Sequence, residues 1–434
     1  MSWFGKLLGL NRDRAADGGD VQREPSAQLS LQRQVIDTNH LRIGMYVVEL
    51  DRPWSETSFM FQGFTIEAQE DIDELRAACE FVYVERLVEM PGRRPEPHGA
   101  VSHAPSDGAE EVSQLRERVA EVSDCMATAT SSLASIFHNL HLDGQVDRER
   151  LQAVVHDCIE SVLHDNNATL LLTQIRDRDG DGARHAMNVA ILAITLGRLT
   201  GLGREQLDVL GICGLLHDVG KVRVPQEVLA KEGQLSRREV EEIRRHTVHG
   251  RDLLLAQGKH YAAAADVAYS HHERVDGRGY PRGLSGCEIS LNARVISIAE
   301  AYDAITTETG YRAGRSAHEA QSILYRNRGK QFDEELVYKF IDSIGVFPPG
   351  SLVEMSNGEV GIILGNNAMD KLKPRVLILL DESKQPCDQR VVDLVAQPID
   401  QSGRQYHIRD TLRNGSHELW VEDFIRSGLR LNQI

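Results

Sequence analysis

The chain has 434 residues, 41% of them hydrophobic and 26% charged, an ordinary globular composition that is long enough for two or three units at about 150 residues each. No stretch approaches the ~20 consecutive apolar residues of a membrane span, and a net charge of −16, from 49 basic and 65 acidic residues, repels phosphate backbones and excludes general nucleic-acid binding. Six scattered cysteines (Cys79, Cys125, Cys158, Cys213, Cys287, Cys387), with no C-x-x-C pair and no secretory signal before them, predict a reducing, cytoplasmic setting.

Residues 1–34 open on Trp3, Phe4, Leu7, Leu8 and Leu10 and then turn polar, which predicts a mobile arm. From 35 to 90, strand-like runs at Met45–Leu50 and Phe81–Val84 surround a helical stretch near Asp71–Cys79, the pattern of a small α+β domain. Residues 91–111 hold four of the thirteen prolines with three glycines, a linker composition. A connecting helix follows over 112–150, where Leu115, Val119, Val122, Met126, Ala129, Leu133, Ile136 and Leu140 alternate spacings of four and three. Two readings of that seam carry equal weight: pairing with a second copy into a homodimer through 115–140, or packing on its own domain. From 151 to 345 helical patterns dominate, including Leu207–Leu216 and Val240–Leu255, and residues 346–434 return to strand signals at Leu352–Met355, Val360–Leu364 and Val376–Leu380 around the turn pair Asn357-Gly358. The expected fold is multidomain: an all-α helical catalytic domain flanked by a small N-terminal α+β domain and a small β-rich C-terminal domain.

His-Asp occurs three times, at His156-Asp157, His164-Asp165 and His217-Asp218. The third copy ends an apolar helical run and precedes Val219-Gly220-Lys221; a helix breaking at Gly220 would hold imidazole and carboxylate side by side, with an ammonium at the rim. His185 upstream, His246 or His249 downstream, His271-His272 and Glu300 add further donors, and spacing alone does not choose between His246 and His249. Singly, each such histidine is more often structural or at the surface; their conjunction is what counts. Seven donors exceed the need of one ion, imidazole with carboxylate suits Fe, Mn, Co or Zn, and two neighbouring ions suit phosphoester hydrolysis. In Asp276-Gly-Arg-Gly-Tyr-Pro281, Gly277 and Gly279 close a tight turn around Arg278, and Tyr280 offers a flat face suited to a purine.

In its motifs over roughly 170–343 the chain resembles the HD-GYP family, bacterial cyclic di-GMP phosphodiesterases among the HD metallo-phosphohydrolases. The motifs are His217-Asp218-Val-Gly-Lys221, His246 with Gly250, His271-His272-Glu273, Asp276-Gly-Arg-Gly-Tyr-Pro281 and Ala301-Tyr-Asp-Ala304. The resemblance selects His246 and implies His185, His217, Asp218, His246, His271, His272 and Glu300 as ligands of two divalent ions, Fe or Mn foremost with Mg as a further candidate. A third ion would draw on Asp181, with Asp177 and Asp179 close by. It implies Asp218 and Lys221 as catalytic groups, and substrate contacts at Lys221, Arg278, Gly279, Tyr280, Pro281, Asp303 and Arg312. It also implies GGDEF-type diguanylate cyclases as partners of the Gly-Tyr-Pro loop. Leu41–Trp54 and Gln62-Gly63-Phe64 resemble a domain of unknown function often found ahead of HD-GYP domains.

Two further departures from the family bear on activity. Position 300 is Glu where the family usually has Asp, and the family's Arg-Pro-Tyr stands here as Thr309-Gly310-Tyr311, which removes one cationic phosphate contact while Arg312 remains. The implied activity is phosphoric diester hydrolysis of cyclic di-GMP to pGpG and onward to GMP, lowering a second messenger of motility and biofilm formation. Other HD phosphohydrolases acting on nucleotides would lack the Gly-Tyr-Pro loop. The alternative from another class is a catalytically weak cyclic di-GMP receptor or cyclase-binding module, favoured by Glu300 and Thr309 and opposed by the retained histidines and Lys221.

Overall fold

The structure, a computed structural model, describes residues 29–50, 64–89, 108–174, 182–307, 314–367 and 373–429, less positions 44, 67, 80, 232, 397, 401, 402, 404 and 428. The apolar cluster at Trp3–Leu10, most of the linker, Asp181 and Thr309–Arg312 lie outside the described residues. Contacts divide the described residues into two units, one within 11–106 and one within 107–434.

In the first unit four strands, β1 (Leu29–Asp37), β2 (Tyr46–Leu50), β3 (Phe64–Thr65) and β4 (Phe81–Glu89), form an antiparallel sheet in the order β1-β4-β2-β3. Helix Gln69–Ala78 packs Ile72 and Leu75 with Val47, Leu50, Ile66, Val82 and Val84. Strand β1 begins inside the segment expected to be a mobile arm to residue 34. Its ladder with β4, running from Leu29↔Glu89 to Asp37↔Phe81, gives backbone groups a partner distant in sequence that no local pattern announces.

The second unit begins with helix Gly108–Asp143, which starts inside the expected linker. Its heptad seam, from Val119 through Val122, Met126, Ala129, Leu133 and Ile136 to Leu140, is buried, and the helix packs on Arg148–His164, Asn166–Leu172 and Ala183–Leu199. Of the two sequence readings of the seam, the structure takes the one in which its own domain covers it. Burying each such aliphatic side chain contributes roughly 1.5–3 kcal/mol. Helix Ala183–Leu199 sits at the centre and is buried along most of its length. Helices Arg204–Leu216, Leu291–Thr306 and Glu334–Ile344 surround it.

Two expected helical features are corrected. The run Val240–Leu255 is two helices, Arg237–Arg244 and His246–Ala256, meeting at Arg245, which keeps right-handed helical dihedrals and whose N–H is shared among the Glu241, Glu242 and Ile243 carbonyls. Gly220 does not terminate a helix, because Arg204–Leu216 ends with His217 as its cap and Val219–Arg223 is a short 3₁₀ turn. A glycine is required at 220 by proximity: a Cβ there would lie 1.9 Å from the His246 carbonyl oxygen and 2.4 Å from the Gly250 nitrogen.

The chain ends in a five-stranded antiparallel sheet, β5 (Leu352–Met355), β6 (Val360–Gly365), β7 (Arg375–Leu380), β8 (Pro386–Asp393) and β9 (Ile408–Leu412), in the order β8-β7-β6-β5-β9. Val353, Met355, Ile363, Val376, Ile378 and Tyr406 form its core. Asn366 Nδ2 donates to the Ile344 carbonyl at 2.9 Å and Arg116 to Gln389 Oε1 at 2.8 Å, tying sheet and helices together, while Gln321 Nε2 donates to the Gly345 carbonyl at 2.8 Å at the end of helix Glu334–Ile344.

The close approach at Gly220 generates a stability test. Gly220→Ala forces the backbones of Val219–Arg223 and His246–Ala256 apart, and overpacking of this kind costs about 1–3 kcal/mol or more. Urea unfolding should show a lowered midpoint; a loss under about 0.5 kcal/mol, the scatter of ordinary surface substitutions, would refute the account.

Candidate metal centre

Four segments of the second unit converge on Asp218. His217 caps Arg204–Leu216, and its Nδ1 donates to the Gly214 carbonyl at 2.8 Å. His246 opens its helix with Nδ1 donating to Ile243 at 2.6 Å, and His271, the C-cap of helix Ala262–Ser270, donates to Val267 at 3.0 Å. A carbonyl can only accept, so the proton sits on each Nδ1 and each Nε2 turns inward. From there His217 Nε2 lies 3.4 Å from Asp218 Oδ2, while His246 and His271 Nε2 lie 3.3 and 3.8 Å from Oδ1. His185 Nε2 is 3.9 Å from Asp218 Oδ2, and His272 Nε2 is 3.9 Å from Glu300 Oε1.

These side chains fall into two groups whose donor atoms lie within 4.8 Å of one another: Asp218, His246, His271 and His272; and His185, His217, Asp218 and Glu300. Asp218 belongs to both. His217 Nε2, Asp218 Oδ1 and Glu300 Oε2 are buried without a hydrogen-bond partner, a costly condition for polar atoms unless something else coordinates them. Inward lone pairs, buried carboxylates and an N/O donor set fit two divalent cations with a shared carboxylate. His249 is outside both groups. Of the other His-Asp pairs, His156 contacts Arg204, and Asp165 caps Asn166–Leu172 by accepting from the Ala168 nitrogen.

The electrostatics match the geometry. Burial raises the Asp218 carboxyl, but Lys221, His217 and His246 outweigh it and hold the group well below the carboxylate range. Burial, partly offset by Asp218, takes His246 down to about 4 and holds His271 and His272 well below the ordinary imidazole value, so all three are neutral donors near pH 7. Burial also acts downward on His217, yet Asp218 and Glu300 bring it above its usual value. Glu300 is pushed up to about 8 by burial, with the Asp218 and Asp303 charges adding to the effect against His217 and Lys221.

The loop after His272 is held from beneath. The buried Glu273 carboxylate accepts the backbone N–H groups of Arg282 at 2.7 Å and Leu284 at 3.0 Å. Asp276 accepts the Arg274 guanidinium through both oxygens and the Arg278 nitrogen at 3.1 Å. Gly277 has φ +74°, and a Cβ at Gly279 would meet the Arg274 nitrogen at 2.4 Å. This folds Tyr280 inward: its ring stacks on His272 at 4.8 Å between centroids, with the Arg244 guanidinium 4.7 Å over it. The ring expected to offer a face to a purine is therefore engaged by two neighbours, while Arg278 and Pro281 are exposed at the rim.

Asp303, expected among the substrate contacts, is buried behind His185, its Oδ2 2.7 Å from His185 Nδ1 and its Oδ1 accepting from Asn188 Nδ2 at 2.9 Å. Lys221 reaches the rim and pairs with Asp218 Oδ2. Sequence reasoning gave no role to Asn188 or Glu273. Asn188 stands three residues after His185, one helical turn away, and that spacing was the available signal.

Comparison with known proteins adds the following. A family model described as an HD domain matches residues 162–336, and one described as a domain of unknown function (DUF3391) matches residues 33–151. A cyclic di-GMP phosphodiesterase of Pseudomonas aeruginosa is 32% identical over 366 residues, 83% of this chain and 88% of that protein. A cyclic di-GMP phosphodiesterase response regulator of Xanthomonas campestris pv. campestris is 34% identical over 168 residues, 38% of this chain and 44% of its own length. A 3'3'-cGAMP-specific phosphodiesterase of Vibrio cholerae serotype O1 is 39% identical over 142 residues, 32% of each chain. The match thus spans less than half of the latter two proteins.

Glu300 gives a pH test in protein stripped of divalent ions. Its folded pKa is raised from 4.5 to about 8, so its stabilising contribution is complete below about pH 4.5 and is lost as the pH rises through 8. Glu300→Gln removes this dependence. In urea unfolding the variant's advantage over the parent should grow from pH 5.5 to pH 8, and a constant difference would contradict the raised pKa.

Proposed function

This chain belongs to the HD-GYP branch of the HD-domain phosphohydrolase family, and on that premise we propose that it is a divalent-metal-dependent phosphodiesterase that hydrolyses cyclic di-GMP to pGpG, and pGpG onward to GMP. The observation that carries the reading is the pair of donor groups sharing Asp218, in a chain whose relative of that activity aligns along most of both lengths. Ions bound there would supply Lewis acidity toward a phosphoryl oxygen and lower the pKa of a coordinated water. An imidazole and carboxylate donor set suits Fe, Mn, Co or Zn, of which the family resemblance puts Fe or Mn foremost, with His185, His217 and Glu300 on one side, His246, His271 and His272 on the other, and Asp218 common to both.

The protein's own groups do the rest. Asp218, kept anionic, and the neutral His246, His271 and His272 present lone pairs near pH 7 without first losing a proton. Lys221 puts a positive charge at the rim, where a substrate phosphate attracts it away from Asp218 and the developing charge on the phosphoryl oxygens is stabilised. Tyr280 braces His272, and Arg278 at the exposed turn is available to the substrate or to a GGDEF-type cyclase partner. We retain residues 35–90 as a small α+β domain, a reading supported by the sheet β1–β4 and helix Gln69–Ala78.

A second reading, hydrolysis of 3'3'-cGAMP, is favoured by the relative specific for that dinucleotide, whose identity over the matched segment is the higher one. Both substrates should be offered to anaerobically purified protein reconstituted with Fe(II), Mn(II) or Mg(II), with products resolved by chromatography. Faster metal-dependent conversion of cyclic di-GMP supports the first reading; preference for cGAMP supports the second; tight binding without turnover under every metal would make the protein a receptor. His217→Ala and Asp218→Ala should each abolish turnover, and unchanged rates at verified metal content would sink the assignment. Glu300→Asp, which restores the family's shorter carboxylate, should preserve or increase turnover, and a folded but inactive variant would show a site adapted to the longer arm.

A further inference from the structure

The imidazoles of the centre are not all oriented in the same way. His217, His246 and His271 each give the Nδ1 proton to a backbone carbonyl. His185 instead faces a carboxylate, Asp303 Oδ2, at 2.7 Å. An anion behind the ring fixes the proton on Nδ1, leaves the Nε2 lone pair for the centre, and raises the basicity of the ligand.

A carboxylate as buried as Asp303, 3% exposed, needs donors of its own. Asn188 Nδ2 supplies one at 2.9 Å to the oxygen His185 does not use, and also lies 3.2 Å from the Thr173 carbonyl at the end of Asn166–Leu172. Asn188, 2% exposed, therefore locates the Asp303 carboxylate between two helices. The spacing is matched on both sides: Asn188 follows His185 by three residues on one helix, and Asp303 follows Glu300 by three on the other. Each helix thus carries a donor of the same group and, one turn on, a member of the supporting pair. Asp303 meets the group of His185, His217, Asp218 and Glu300 through His185.

We propose that Asn188 and Asp303 are a positioning pair for His185, setting the ion affinity of the His185–His217–Asp218–Glu300 group independently of the other group. The proposal rests on the reading of this cluster as a two-ion centre. It makes the two sites inequivalent: one has two carboxylates and a carboxylate-backed imidazole, and the other has one carboxylate and three imidazoles held by backbone or by ring stacking.

The test is Mn(II) titration of metal-stripped, full-length protein by calorimetry, with retained ions counted by elemental analysis. The parent should bind two ions. Asn188→Ala and Asp303→Asn should each weaken one ion by about 10–100-fold, the usual effect of removing such a support, and leave the other at its parental affinity. His272→Ala should weaken the complementary ion. Asp303→Asn keeps the shape of the side chain and carries the test if Asn188→Ala does not fold, as judged by circular dichroism. A purely structural role would weaken both ions together, and that result overturns the proposal, as do unchanged affinities in both variants. A parent that retains no ion overturns the two-ion reading and the proposal with it, which separates that failure from failure of the pair alone.

Discussion

A largely enclosed carboxylate, its side chain 11% exposed, common to two sets of donors is the constraint on which the rest of the second unit depends. An uncompensated charge at the position of Asp218 would cost several kcal/mol, so the fold surrounds it with Lys221, His217 and His246 and holds it anionic. Backbone carbonyls at Gly214, Ile243 and Val267 hold three of the rings with Nε2 inward. Each of these carbonyls lies within the last turn of a helix, where acceptors outnumber intrahelical donors, and that of Val267 accepts the His271 backbone N–H as well. Helix termini thus serve both to end an element and to orient an imidazole.

Bringing the segments close enough is a packing problem. The turn after Asp218 approaches the His246 helix so closely that only a glycine fits at 220. Helix Ala183–Leu199 is apolar on nearly every side because helices cover it all round, and this fixes where His185 and Asn188 stand. The long helix Gly108–Asp143 spends its apolar seam on the same core, so its heptad spacing reports intradomain burial.

The loop from Glu273 to Leu284 connects the rim to the side chains clustered around Asp218. Its two carboxylates, Glu273 and Asp276, tie down backbone N–H groups, and Tyr280 meets His272 ring to ring. Arg278 and Pro281 stay exposed on the same turn. A partner or substrate engaging the rim would therefore bear on a ring stacked on His272, without passing through the rest of the domain.

The sequence by itself determined the donor inventory, the helical character of 151–345, three of the five strands of the C-terminal sheet nearly to the residue, and the resemblance carried by His217-Asp218, His271-His272 and Asp276–Pro281. Each of these is written in local spacing or in a short motif. Tertiary structure alone decided that Asp218 is shared, that Tyr280 turns inward, that Asp303 backs His185, and that Leu29–Asp37 is a strand. All of these depend on which surfaces meet across long sequence separations: a ring's direction follows from the carbonyl or carboxylate behind it, and a strand from a partner ladder elsewhere in the chain. Local periodicity records which face of an element is apolar, and only the packed fold states what that face finds.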